Sequence, residues 1–289
     1  MDTPNKEQIT ADLIIYCSRF ESQSQAANSL KDVSSATISQ IINKNWNNIA
    51  DKMWLTVSAQ IGTGKRSIAD EWIYVETVDY KELNQFLNDA KTNSLSMGII
   101  GRAGSCKSKT FELYAKANRN TYVLTCNEYW DRKQFLEELL TVMGHSCSGL
   151  KVSEMMREIT RRIITRIDPI IILDEYDKLP DSVLLFYITL YNYLEDRCGF
   201  ILCATDHLKK RVERGLRLNK KGYNEIYSRI GRRFIELNGL TSTDVMQACV
   251  ANGVSDPEEI KKIWNSCEYD MRRVKRMIHA YKKQKLNGE

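Results

Sequence analysis

No stretch of this sequence approaches the roughly 18 uninterrupted apolar residues of a membrane span. The opening Met1-Asp2-Thr3-Pro4-Asn5-Lys6 has neither the basic n-region nor the apolar core of a signal peptide. A membrane role is therefore not expected, and a cytoplasmic location is. The eight cysteines form no C-x-x-C pair, and several fall inside apolar runs where they pack as small hydrophobes, so reduced thiols and no thiolate metal centre are expected. There is no internal repeat and no low-complexity segment.

What is present is 289 residues with 43% hydrophobic content, enough for one large domain and one or two small ones. The net charge of +5 is mild, so its distribution matters more than its total. From His207 to Arg233 ten Lys or Arg face two acids, and Met271 to Lys285 holds seven bases and no acid. Such runs are either solvated helix faces or phosphate-binding surfaces.

Residues 6–60 read as short helices. The segment 25–43 alternates a short amphipathic helix, a polar turn and a second helix, which is helix-turn-helix spacing. Ser34 is placed to cap the second helix, with Ser35, Thr37 and Gln40 near its exposed N-terminal half and Ile38, Ile41 and Ile42 facing inward. DNA binding and a small bundle for protein contacts both fit. Residues 62–79 lose periodicity and read as a linker; Gly62-Thr63-Gly64-Lys65-Arg66 lacks a leading strand and reads as a helix cap and turn. From residue 80 apolar strands at Ser96–Ile100, Tyr122–Thr125, Pro169–Leu173, Phe200–Ala204 and Phe234–Leu237 alternate with helices, which implies an α/β fold with a parallel sheet covered on both faces. After residue 238 the strands stop and three helices follow, the second opened by a capping box at Ser255-Asp256-Pro257-Glu258. The expected division is a helix-turn-helix domain at 1–61, a linker at 62–79, an α/β core at 80–237 and a C-terminal helical part at 238–289.

Gly101-Arg102-Ala103-Gly104-Ser105-Cys106-Lys107-Ser108, between the strand ending at Ile100 and the helix that begins with Lys109, is a phosphate loop. Its backbone amides surround a β-phosphate, Lys107 neutralises β and γ oxygens, and Ser108 ligates Mg²⁺. Cys106 stands where glycine is usual. The strand Pro169–Leu173 runs into Asp174, placed to hold Mg²⁺, and Glu175, placed to polarise an attacking water. ATP and Mg²⁺ are the expected cofactors. At the tip of the next strand Asp206 or Thr205 is placed near a γ-phosphate, with helix capping the alternative reading for Asp206. Arg229 is a candidate arginine finger for a neighbouring subunit's nucleotide, and Arg272 a candidate contact to its own; both also fit as ordinary surface or DNA-facing arginines.

These motifs, together with Val75-Glu76-Thr77, Leu173-Asp174-Glu175-Tyr176-Asp177, Tyr227-Ser228-Arg229-Ile230 and Met271-Arg272, come in an order that resembles the phage Mu B protein family, the AAA+ target-selection ATPases of transposition. The resemblance implies an AAA+ ATPase that assembles as an ATP-dependent helical oligomer on double-stranded target DNA and delivers it to a DDE-type transposase. It also implies that hydrolysis clears the filament. The departures are Cys106 and Asp206, the latter where an Asn is usual. On this reading Lys209, Lys210, Arg211 and Arg214 meet DNA phosphates. The alternatives are another AAA+ DNA machine, such as a helicase loader or replication initiator, and a non-hydrolysing regulator.

Overall fold

The computed structural model describes residues 5–62 and 72–286. In chain order the first half contains α1 (Lys6–Cys17), α2 (Gln23–Asn28), α3 (Ser35–Ile42), α4 (Asp51–Ile61), α5 (Val78–Thr92), β1 (Ser96–Ile100), α6 (Lys107–Ala117), β2 (Thr121–Thr125), α7 (Arg132–Val142) and α8 (Val152–Ile163). The second half adds β3 (Ile170–Asp174), α9 (Asp181–Leu184), α10 (Phe186–Leu194), β4 (Gly199–Ala204), α11 (Asp206–Arg217), α12 (Tyr223–Arg229), β5 (Phe234–Glu236), α13 (Ser242–Ala251), α14 (Pro257–Ser266) and α15 (Met271–Leu286). Two compact units result, one from the described residues of Met1–Asp70 and Arg132–Ile159, the other from those of Glu71–Asp131 and Thr160–Glu289.

In the first unit, side-chain caps start the N-terminal helices. Asn5 accepts from the Gln8 amide, Ser22 from that of Gln25 and Ser34 from that of Thr37 at 3.1 Å. Leu13, Ile38, Ile41, Trp54 and Val57 are fully buried between α1, α3 and α4, and the partly buried Ile42 packs on them. Gly62 closes α4 in the left-handed conformation, φ +84°, as a C-cap; Thr63-Gly64-Lys65-Arg66 lie outside the described residues. Residues 132–159 depart from the expected boundaries, clustering with these helices rather than with the 80–237 core. The contact is tight: a Cβ on Gly144 would lie 2.8 Å from the Gln25 carbonyl oxygen.

The second unit is built on a five-stranded sheet of order β2-β3-β4-β1-β5 with every pairing parallel. Parallel strands need helices on both faces, so their sequences are apolar without alternation, and every residue of β3 and β4 is buried. Leu83 and Leu87 of α5 and Phe111 and Tyr114 of α6 pack with Ile170, Ile172, Ile201 and Cys203. The chain order reverses around β1, and the crevice beyond the strands' carboxyl ends at such a reversal is where open α/β sheets bind ligands.

The remaining helices, α13 to α15, enclose Val245, Ala248, Cys249, Val254, Ile263, Val274 and Ile278. The capping box of this lid sits at Thr241 and Asp244 on α13; α14 instead starts with Asp256 as cap and Pro257 as its first residue. Residues 72–77, expected as part of a loose linker, form an extended strap bound to the lid. Trp72 is buried in the lid core, the Ile73 amide donates to Asn252 Oδ1 at 2.9 Å, and Asn252 Nδ2 donates back to the Ile73 carbonyl at 2.9 Å. At the other end the Val78 amide donates to Asp244 Oδ1. The passage from sheet to lid is clasped as well: both oxygens of the buried Asp79 accept from the Gly239 amide, and Asn238 Nδ2 donates to Glu82. Among the described residues no helix is long and apolar enough to cross a membrane.

Candidate nucleotide site

β1 delivers the chain into the loop at the centre of the sheet, where the Gly101 amide donates to the Ala204 carbonyl and ties the loop to β4. Gly104 has φ +82°, and a Cβ there would fall 2.2 Å from Asp270 Oδ1. The Met271 amide donates to the Gly104 carbonyl at 3.1 Å, so the start of α15 rests on the loop. Cys106 also has a left-handed backbone, φ +63°, which explains why glycine is usual at this position and why a cysteine here carries strain. Burial pushes its thiol up to about 11, so it is no thiolate.

Lys107 opens α6 and is nearly buried, with Nζ donating to the Gly101 and Arg102 carbonyls at 2.8 and 2.7 Å and to Ser105 Oγ at 3.2 Å. No carboxylate forms an ion pair with it among the described residues: its direct partners are two carbonyls and a hydroxyl, which an anion can replace. Ser108 Oγ donates to Asp174 Oδ2 at 2.5 Å, and the Glu175 amide donates to Asp174 Oδ1 at 2.9 Å. Burial raises the Asp174 carboxyl, and the Ser108 and Glu175 hydrogen bonds with the nearby Lys107 charge oppose that rise. A hydroxyl and a buried carboxylate side by side are hard oxygen donors that fit Mg²⁺, which usually takes one or two protein oxygens and completes its octahedron with phosphate and water.

Glu175 follows in a left-handed turn, φ +54°, and its carboxylate pairs with Lys178 Nζ at 2.5 Å. Thr205 Oγ1 donates to Asp177 Oδ2 at 3.0 Å. All of these groups, except Asp270 and except Gly101 and Arg102, which act through their carbonyls on Lys107, line one cavity of about 380 Å³ with Ala103, Lys109, Met271 and Arg272. Asp206 does not line it. As the first residue of α11 its carboxylate turns outward onto Lys210, at 2.5 Å, and Thr205 occupies the strand tip instead. That corrects the placement of Asp206 beside a γ-phosphate.

The sequence reading missed the far wall. Trp72 and Tyr74 of the strap and Lys275 of α15 line the same cavity, with Lys275 Nζ 5.6 Å from the Trp72 ring centre and Lys109 Nζ 4.6 Å from that of Tyr74. The signal was two large aromatics in a segment otherwise without apolar periodicity. Two cation-flanked rings beside a phosphate loop can receive a flat heteroaromatic base.

The remaining candidates lie apart from the cavity. Arg229 is braced within its own unit: Nη2 donates to Asn192 Oδ1 at 2.7 Å, Nη1 to the Glu225 carbonyl at 3.1 Å, and the guanidinium stacks 5.4 Å from the Tyr191 ring centre. Arg211 is bound by the Asp177 and Leu179 carbonyls at 2.9 and 2.7 Å and by Asp181, which makes it a brace between α11 and the turn after β3 and corrects its placement on a DNA-facing surface. Lys209 pairs with Glu236 at 2.6 Å. Arg214 is exposed without an ion pair among the described residues. On α3 of the first unit, Ser35 is exposed and Thr37 and Gln40 are half-buried.

Residues 90–212 match the family described as AAA domain. No curated protein matches the chain. Among solved structures the chain is similar to one described as the structure of Drosophila ORC bound to DNA, with a TM-score of 0.47 and 15% identity over 73% of this chain; it spans 56% of the length of that chain. The matched segment holds the loop, Lys107, Ser108, Asp174, Glu175 and Thr205, on four of the five strands of the parallel sheet: residues 90–212 carry an AAA-type ATPase domain.

Proposed function

We propose that this chain binds ATP and Mg²⁺ in the cavity of its second unit, and in that state assembles on double-stranded DNA as a helical oligomer that presents target DNA to a DDE-type transposase. The observation that carries the nucleotide part is the Ser108–Asp174 pair at 2.5 Å, in one cavity with Lys107, Glu175, Thr205 and Arg272. The transposition part is supported by the order of motifs along the chain and by the capped helix pair α2 and α3 in the first unit.

Mg²⁺ held by Ser108 and Asp174 would supply positive charge to offset that of the phosphates during phosphoryl transfer. Lys107 exchanges part of its carbonyl shell for phosphate oxygens, and Ser108 and Asp174 hold the ion between them. Trp72 and Tyr74 receive the base. Arg272 reaches the phosphates from α15, closing the lid on the nucleotide. Thr205 orients the water that Glu175 polarises, but Glu175 first has to leave Lys178. That exchange, with the strained Cys106, favours slow turnover. Arg229 would have to abandon three partners to serve as a finger, whereas Arg232 and Arg233 stand exposed on the next turn with no ion pair among the described residues. We assign the finger to that turn and the bracing to Arg229.

Electron microscopy of the full chain with duplex DNA tests the reading: ATP should give regular filaments and ADP dispersed protein. Identical images with the two nucleotides overturn it. Requirement for a replicative helicase rather than a transposase, in a pull-down against both, replaces it with the helicase-loader reading.

A further inference from the structure

Beyond Arg272 and Lys275 at its start, nothing in the nucleotide chemistry above uses the outer face of α15. Met271, Val274 and Ile278 bury the inner face, and the opposite side presents Arg272, Lys275, Arg276, His279 and Lys283, all exposed. Their spacing of three and four places them on one line, which runs roughly 16 Å at 1.5 Å per residue. The helix contains no Asp or Glu. Its neighbour Glu268 is taken by Arg273, off the line, and Arg276, His279 and Lys283 have no ion pair among the described residues. Such an arrangement is costly on the helix's own terms. Arg272 and Arg276 are like charges four apart, and Arg272, Lys275 and Arg276 lie near the positive end of the helix dipole, where cations are disfavoured. Helix stability therefore does not favour the row, and an external anion would offset its cost.

The line begins in the nucleotide cavity, which Arg272 and Lys275 help to wall, and continues outward along the lid. We propose that this face of α15 is a track for the phosphate backbone of a nucleic acid, separate from α3 and α11. The proposal rests on the DNA-binding reading above and adds the surface. A phosphate backbone fits better than an acidic protein: protein interfaces favour aromatics and Met and are poor in Lys, whereas nucleic-acid interfaces are strongly positive. Between Arg272 and Lys283 the one exposed apolar residue is the small Ala280.

The test uses the full chain, a labelled random-sequence duplex and a salt titration. Arg276→Gln with Lys283→Gln, neither in the cavity, should weaken duplex binding at least about tenfold and make the salt slope shallower by roughly two. Nucleotide affinity by calorimetry should stay within about twofold of wild type. Lys81→Gln with Lys261→Gln removes the same charge elsewhere on the second unit and should leave the duplex affinity nearly unchanged. Equal loss in that control, or undiminished binding by the α15 variant, overturns the track while leaving the functional reading standing. Absence of duplex binding by wild type overturns both. Polyglutamate of matched charge displacing the duplex as well as unlabelled DNA does would reassign the face to an acidic protein.

Discussion

Gly104→Ala isolates the contact between phosphate loop and lid. The new methyl would sit 2.2 Å from Asp270 Oδ1 and 2.9 Å from its Cα, so side-chain rotation alone cannot make room and the start of α15 has to move. The left-handed backbone costs an alanine about 1–2 kcal/mol. Displacing Met271 removes its amide bond to the Gly104 carbonyl, about 1 kcal/mol more. If ATP binds with the lid seated, the sum of about 2–3 kcal/mol falls on nucleotide affinity and weakens it roughly 30- to 140-fold. Calorimetric titration with a non-hydrolysable ATP analogue reads this directly. Gly101→Ala is the control: its methyl would meet Leu237 Cδ1 at 3.0 Å, Leu237 Cβ at 3.3 Å and Lys107 Cδ at 3.4 Å, close but without backbone contact, and its backbone is not left-handed. A cost under about 1 kcal/mol, roughly fivefold, is expected there. Wild-type affinity in Gly104→Ala, or equal loss in the two variants, would refute the seated lid.

Glu175→Gln should abolish phosphate release in a turnover assay while keeping ATP affinity within a few-fold and stabilising filaments; wild type turning over no faster would show that Glu175 does no catalysis. Asp174→Asn should raise the melting temperature of the nucleotide-free protein at neutral pH and remove the further rise given by Mg-ATP. The sign follows from burial: a carboxyl raised above its ordinary 3.8 contributes stability below that value and loses it as pH climbs through the folded value. The advantage of Asn should therefore vanish below about pH 4 in thermal scans, and an advantage growing with acid would contradict the assignment. Arg211→Ala should lower the melting temperature by roughly 5 °C or more, since it strands two carbonyls and leaves Asp181 with only Tyr223 and Lys220, whereas Arg214→Ala should barely move it.

The five strands were legible within about a residue because buried parallel strands leave unbroken apolar runs. Lys107, Ser108 and Asp174 were legible because their chemistry demands fixed residue types at the ends of two such strands. The helix expected at 182–196 is instead α9 and α10, and α12 carries no strong period over its seven residues. The strap escaped because its partners, Asn252 and Asp244, lie 179 and 166 residues away and nothing local announces them. The burden of Arg211 escaped for the same reason: its carbonyl partners are backbone atoms, which composition does not reveal. A run of bases reads alike whether the cations face solvent, acids or DNA.

Gly239 has every local mark of a pivot, with φ +81° and open space around its Cα. Its amide is nonetheless pinned by a buried carboxylate on α5, and Asn238 beside it by Glu82. A rotation there would orphan a desolvated acid, so the last three helices cannot swing about that glycine while α5 stays put. Opening the nucleotide chamber then means carrying α5 along, which passes the disturbance to the sheet it packs against, or yielding at the Gly104 contact instead.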